Sequence, residues 1–168
     1  MTRVCLMGEE GLDLVVELLA SETARDALAS YEIDEPFENS VAVETISIGA
    51  AVSLLNDLNW YLVRLVTDAI VQEPSVSETE WLSRDLATAI RNETIDPDET
   101  GTFLKVFGVI EPDPPDVPEE EANAEPPPPK LTQPMFAQRV DEEVPSYDLR
   151  EVADTVVVRV TPDEFGAG

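Results

Sequence analysis

Carboxylates outnumber cations 36 to 10 in this 168-residue chain, giving a formal net charge of −26 at pH 7. A compact body with that charge repels itself at low ionic strength. The repulsion is screened when salt near 1 M shortens the Debye length to about 3 Å. Yet 43% of the residues are apolar, too many for a disordered polyelectrolyte. The chain must therefore bury an ordinary core beneath a surface that is almost wholly acidic, and its length allows one domain plus an extension. Lys105 and Lys130 are the two lysines, and acid is spread along the whole sequence. That spread reads as adaptation to a salt-saturated cytoplasm, with solvent cations at the acidic surface. The rival reading is an acidic surface that mimics nucleic acid or docks on a basic partner.

The same composition excludes several functions. Nucleic-acid binding needs clustered cations to neutralise phosphates, and here the basic residues stand singly. With no histidine, the chain cannot assemble a Ser-His-Asp or Cys-His nucleophile or a histidine-held zinc. Cys5 is the single cysteine, so no internal disulfide or cysteine-ligated cluster can form. Its setting in "RVCLM" marks a buried, inert thiol. No GxxxxGK[ST] phosphate loop occurs. No cofactor is expected, and no pair among the 36 acids stands out as a catalytic dyad. The N-terminus lacks the layout of a signal peptide. Residues 49–72 have the length of a membrane span, but Asn56, Asp57, Asn59, Arg64 and Asp68 interrupt it. The expectation is a cytoplasmic protein with no membrane partner.

Along the chain, "TRVCLM" (2–7) reads as a strand. "LDLVVELLA" (12–20) alternates well enough to pair with it as a hairpin. The apolar arc of 14–19 opposes that of Ala24, Ala27, Leu28 and Tyr31, so the pattern breaks at Ser21, an N-cap for a helix over 22–31. "VAVETISI" (41–48) is a strand by its β-branched content. Ala51, Leu54, Leu55, Leu58, Leu62, Leu65, Val66 and Ala69 predict one helix over 50–72, ended by Pro74. "SETE" (77–80) is a capping box that opens a helix over 78–92. "DPDE" (96–99) opens another over 97–107, stopped at Gly108. Residues 111–130 then hold eight of fourteen prolines and seven acids, a composition that favours extended conformation and buries nothing. The last apolar run, "TVVVRV" (155–160), suits a strand buried on both faces. These elements predict an α+β fold with a mixed sheet of about four strands packed against the three later helices. They divide the chain into a globular domain (1–110), an acidic proline-rich linker or excursion (111–134) and a C-terminal segment (135–168) that returns a strand to the main domain.

Few residues suggest chemistry. On the 50–72 helix, Asn56, Asp57, Trp60, Arg64 and Asp68 form a polar side, where Arg64 pairs with Asp68 and stacks on Trp60. Asn59 falls inside the apolar arc, and a buried amide must be hydrogen-bonded. If the domain has a ligand pocket, Asn59, Tyr61 and Arg64 are its expected polar lining. "GEEG" (8–11) after a strand resembles half of a dinucleotide-binding turn, but Glu9 and Glu10 would face the phosphates. "DPDETG" (96–101) opens like a calcium loop, with Asp96, Asp98 and Thr100 as candidate ligands. Phe107, however, stands where the bidentate glutamate belongs. "EEE" (119–121) and "DEE" (141–143) read as solvated charge.

The stretches "MTRVCLMGEEGLDL", "SETARDALASY", "ISIGAAVSLLNDLNWYLVR" and "EWLSRDLATAI" resemble an uncharacterised family of small acidic haloarchaeal proteins over about residues 1–110. The resemblance implies a salt-rich archaeal cytoplasm and carries no activity. The leading reading is a non-enzymatic protein-interaction or regulatory module, with the proline-rich excursion accessible to an unknown protein partner. The alternative is a small-ligand-binding domain or carboxylate-dependent hydrolase with a pocket near Asn59 and Arg64.

Overall fold

Alternation along the first strand sets the architecture. In β1 (Thr2–Gly8), Val4 and Leu6 join one apolar cluster and Cys5 and Met7 another. A strand that buries both faces needs a layer on each side. A computed structural model, which describes residues 1–111, 128–139, 152 and 154–167, shows how both are supplied. The remaining elements are α1 (Leu14–Ala20), α2 (Glu22–Leu28), β2 (Ser40–Thr45), α3 (Ile48–Asp57), α4 (Asn59–Leu65), β3 (Val66–Gln72), β4 (Trp81–Ser83), α5 (Arg84–Arg91), β5 (Phe103–Ile110), β6 (Lys130–Leu131), β7 (Met135–Gln138), β8 (Asp154–Arg159) and α6 (Pro162–Ala167).

Among the described residues the strands form one eight-stranded sheet in the order β2-β1-β3-β4-β8-β5-β6, with β7 also on β5. All pairings are antiparallel except β4 with β8. Helices α1 to α5 cover one face through Leu14, Leu18, Leu28, Leu55, Leu62 and Leu86. The sheet curls so that Cys5, Ile70 and Trp81 meet Phe107, Val156 and Val158 on its other face. Full burial of each large apolar side chain contributes roughly 1.5–3 kcal/mol. No helix among the described residues is long and apolar enough to cross a membrane.

The mixed α+β class stands, but with twice the expected strands, and several elements change identity. Residues 14–20 are helical, not the second arm of a hairpin. Asp13 caps α1 by accepting from the Val16 N–H at 3.2 Å. Leu14 and Leu18 are buried while Val16 is 60% exposed, whereas a strand would put all three on one face. The break at Ser21 is real: its extended backbone separates α1 from α2, so each helix buries its own arc. The 41–48 strand stops at Thr45, and Ser47 caps α3 by accepting from the Ala50 N–H at 3.1 Å.

The single helix over 50–72 divides in three. It pauses at Leu58 (φ −91°, ψ 0°), restarts as α4 and then becomes β3, because Val66–Val71 fills the slot between β1 and β4. The 78–92 helix starts late. The Ser77 hydroxyl does accept from the Thr79 and Glu80 N–H groups, yet Trp81–Ser83 is a strand, and Ser83 caps α5 by accepting from Leu86 N–H at 3.1 Å. The 97–107 helix is one 3-10 turn, Pro97–Glu99, followed by β5. There Leu104 and Val106 pack on one face and Phe107 and Val109 on the other. The run 155–160 is β8, between β4 and β5. Of the proline-rich excursion, residues 112–127 lie outside the described residues, and Lys130–Leu131 within it pairs with β5.

The α5 start yields a direct test. Ser83 is buried and also donates to Glu164 at 2.5 Å. Ser83→Ala is expected to cost about 1–2 kcal/mol in urea unfolding, from a lost cap and a lost hydrogen bond. Ser77→Ala should cost under about 0.5 kcal/mol. The reverse ranking would restore the longer helix.

Candidate functional site

Helix α4 has one fully buried residue, Leu62, so most of its surface faces outward. Trp60 and Val63, one turn apart, are 60% and 64% exposed. The indole of Trp60 is held from two sides. The Arg64 guanidinium lies 4.0 Å from the centre of the indole ring and donates to the Trp60 carbonyl at 2.7 Å. Trp60 meets Tyr61 edge-on at 5.0 Å between centroids. The Tyr61 hydroxyl in turn bonds the Ser21 hydroxyl at 2.5 Å, anchoring α4 to the α1–α2 junction.

The three residues expected to line a pocket are therefore placed differently. Tyr61 and Arg64 are joined through Trp60, and Asn59 is exposed. The restart at Leu58 shifts the phase of α4 relative to α3, which takes Asn59 out of the apolar arc. The stack of Arg64 on Trp60 matches the sequence reading. The Arg64–Asp68 pair does not form, because the helix ends at Leu65 and Asp68 belongs to β3. Asp68 instead accepts from Lys105 of β5 at 2.5 Å.

That ion pair borders a groove of about 290 Å³ below α4, lined also by Val63, Ser83, Arg84 and Glu164. The Lys105 ammonium sits 5.6 and 5.7 Å from the centroids of Phe107 and Phe136. Sequence spacing carried no sign of this grouping, since Asp68, Ser83, Lys105 and Glu164 lie on four elements.

Residues 8–14 run from β1 through a loop into α1, and one side chain engages a backbone group at each end of that loop. The Asn39 side chain accepts from Leu14 N–H at 2.8 Å and donates to the Glu9 carbonyl at 3.0 Å. Gly8 permits this close approach: a Cβ there would come within 2.9 Å of both Asn39 and Leu14. Cys5 is fully buried, and burial pushes its thiol pKa up to about 12, which keeps it protonated and unreactive.

In the 96–101 loop, Asp96 accepts from the Asp98 N–H. The Thr100 hydroxyl donates to the Pro97 carbonyl and accepts from Arg159 at 3.0 Å. Among the described residues no group of three or more carboxylate or cysteine side chains is arranged to hold a metal. Arg159 belongs to a charge cluster that spacing did not reveal. Glu80 accepts from Arg159 Nε at 2.8 Å and from Arg139 at 2.6 and 2.7 Å. Burial acts to raise the Glu80 pKa, but the hydrogen bonds from the two arginines outweigh it and hold the carboxyl below its ordinary value.

Residues 2–109 match the model of DUF5804, a family of unknown function. The chain belongs to this family. No curated protein and no solved structure matches it. The DUF5804 span ends within β5, so β1 to β4 and all of α1 to α5 lie inside it, while β6 to β8 and α6 follow it. The Glu80 cluster therefore ties the DUF5804 region to the segment beyond it.

A carboxyl whose folded-state pKa is depressed stabilises the fold above its unfolded pKa, and that contribution is lost as pH falls through the folded value. Glu80→Gln is expected to cost about 2 kcal/mol at neutral pH. The gap to wild type should close as pH drops below the ordinary carboxyl value of 4.5. Urea unfolding as a function of pH measures it, and a constant gap would remove Glu80 as the titrating group.

Proposed function

We propose that this DUF5804 chain is a non-enzymatic protein-interaction or regulatory module of a halophilic archaeal cytoplasm, and that it presents the Trp60–Val63 face of α4 to a protein partner. One observation carries the reading: an indole 60% exposed yet fixed in place by Arg64 stacking and by Tyr61. Exposed apolar groups on a soluble protein mark interaction surfaces when they are clustered. A pre-ordered tryptophan loses little conformational freedom on binding, and tryptophan is among the residues enriched at hot spots. The net charge of −26 and the presence of two lysines support the salt-adapted setting, where molar salt screens general repulsion and short-range contacts decide affinity.

A photo-crosslinking residue in place of Val63 is expected to capture a partner in about 2 M KCl, where long-range attraction is screened to about 3 Å or less. That partner, purified on its own, should bind Trp60→Ala about tenfold or more weakly than wild type. The substitution should cost under about 1 kcal/mol of stability. Equal binding by the two proteins would sink the assignment of α4.

A second reading, a small-ligand-binding domain or carboxylate-dependent hydrolase, draws on the groove beside Lys105 and Asp68 rather than on Asn59 and Arg64. Thermal unfolding separates the two. Melting temperature is expected to rise steadily as KCl increases from about 0.1 to 3 M. At high salt it should not respond to metabolites and nucleotides. A ligand at about 100 times its Kd would add roughly 2.7 kcal/mol, and a shift of that size lost in Lys105→Met would replace the leading reading.

A further inference from the structure

Among the described residues strand β2 is an edge of the sheet, with one isolated bridge on its outer side. Asp34 and Ala42 exchange two backbone hydrogen bonds, at 2.9 and 2.7 Å. That bridge fixes which groups face outward. In an antiparallel ladder, alternate residues turn their N–H and C=O toward the same side, so if Ala42 faces away from β1, Glu44 does too. Among the described residues no partner engages the Glu44 backbone on that side. Beyond the bridge the 30–33 segment leaves β2, opening a groove of about 570 Å³ lined by Tyr31, Glu32, Ile33, Val43 and Glu44.

We propose that this groove docks an extended, basic segment of a partner protein, which adds to the sheet as a strand alongside Glu44. Backbone hydrogen bonds from an open edge supply affinity to any extended chain. Charge supplies the choice. Glu32, Asp34 and Glu44 line the groove against one cation, Arg3, and the Arg3 guanidinium is already paired with Asp34 at 3.1 Å. Three carboxylates less one guanidinium leave two negative charges uncompensated. A strand with lysine or arginine at alternate positions presents them to one face and meets that deficit. A second copy of this chain would bring its own net charge of −26 and set carboxylate against carboxylate. An edge carboxylate is a common guard against self-pairing. The site is separate from the α4 face and stands independently of it.

The test uses the full chain and a fluorescein-labelled peptide of alternating lysine and valine, followed by anisotropy in about 1 M KCl, where general attraction is screened to about 3 Å. Binding is expected, with slowed hydrogen exchange at the Glu44 amide. Glu44→Pro removes one outward N–H without breaking the ladder to β1, and it should weaken binding about tenfold or more. Should that variant fail to fold, Glu44→Lys leaves the backbone intact and is expected to weaken binding to a similar degree. A peptide of alternating glutamate and valine should not bind. The proposal is overturned by no binding of the basic peptide, by equal binding to Glu44→Lys, or by unchanged exchange at Glu44. A concentration-dependent dimer abolished by Glu44→Pro would assign the edge to a second copy instead and overturn it as well.

Discussion

The sheet is continuous because β8 lies between β4 and β5. Without that strand, the described order β2-β1-β3-β4-β8-β5-β6 falls into two pieces with unpaired inner edges. The pairing of β8 with β5 runs over six residue pairs, Leu104–Arg159 to Val109–Asp154, and its parallel contact with β4 joins Trp81 to Val158. Those same residues supply the concave apolar layer, where Val156 and Val158 meet Ile70, Trp81 and Phe107. Ladder and core thus depend on one segment. The Glu80–Arg139–Arg159 cluster locks it at the end where β4, β7 and β8 converge, and a partly buried carboxylate with two guanidinium partners is costly to break from either side.

Scarce cations occupy structural positions in this acidic chain. Lys105 bridges β5 to β3 through Asp68. Arg139 and Arg159 hold Glu80, and Arg84 reaches the Leu55 carbonyl near the end of α3. Arg64 stabilises the exposed indole of Trp60. Lys105, Arg139 and Arg159 are each partly buried, so salt screens their pairs less than it screens exposed ones. Exposed carboxylates such as Glu32 and Glu44 are left to the surface. The α4 face is apolar with a fixed tryptophan. The β2 edge is hydrogen-bonding and negative.

Local signals were legible where one element decided its own structure. The strand near 41–48 declared itself by β-branched residues and that near 155–160 by a continuous apolar run, and the Ser21 break followed from two opposed apolar arcs. The Trp60–Arg64 stack followed from a spacing of four on a helix. Other segments carried signals for two structures at once. Val66–Gln72 extends the leucine arc of the preceding helix, yet it also alternates Ile70 and Val71 between the two apolar layers. The sheet needed a strand between β1 and β4, and tertiary pairing decided the matter. Capping signals at Ser77 and Asp96 formed the local bonds they advertise, but a strand follows each because Trp81, Leu104 and Val106 are buried in the sheet.

By itself the sequence determined the acidic surface, the exclusion of histidine and cysteine chemistry, and the need for a core buried on two sides of a strand. These follow from residue types and short-range periodicity. Only the tertiary structure decided that Asn59 faces solvent and that Asp68 turns from Arg64 to Lys105. It also brought Glu80 together with arginines 59 and 79 residues away. Such contacts depend on strand register and on where a helix pauses. A shift of one residue in a strand, or one break at Leu58, reverses which side chains meet.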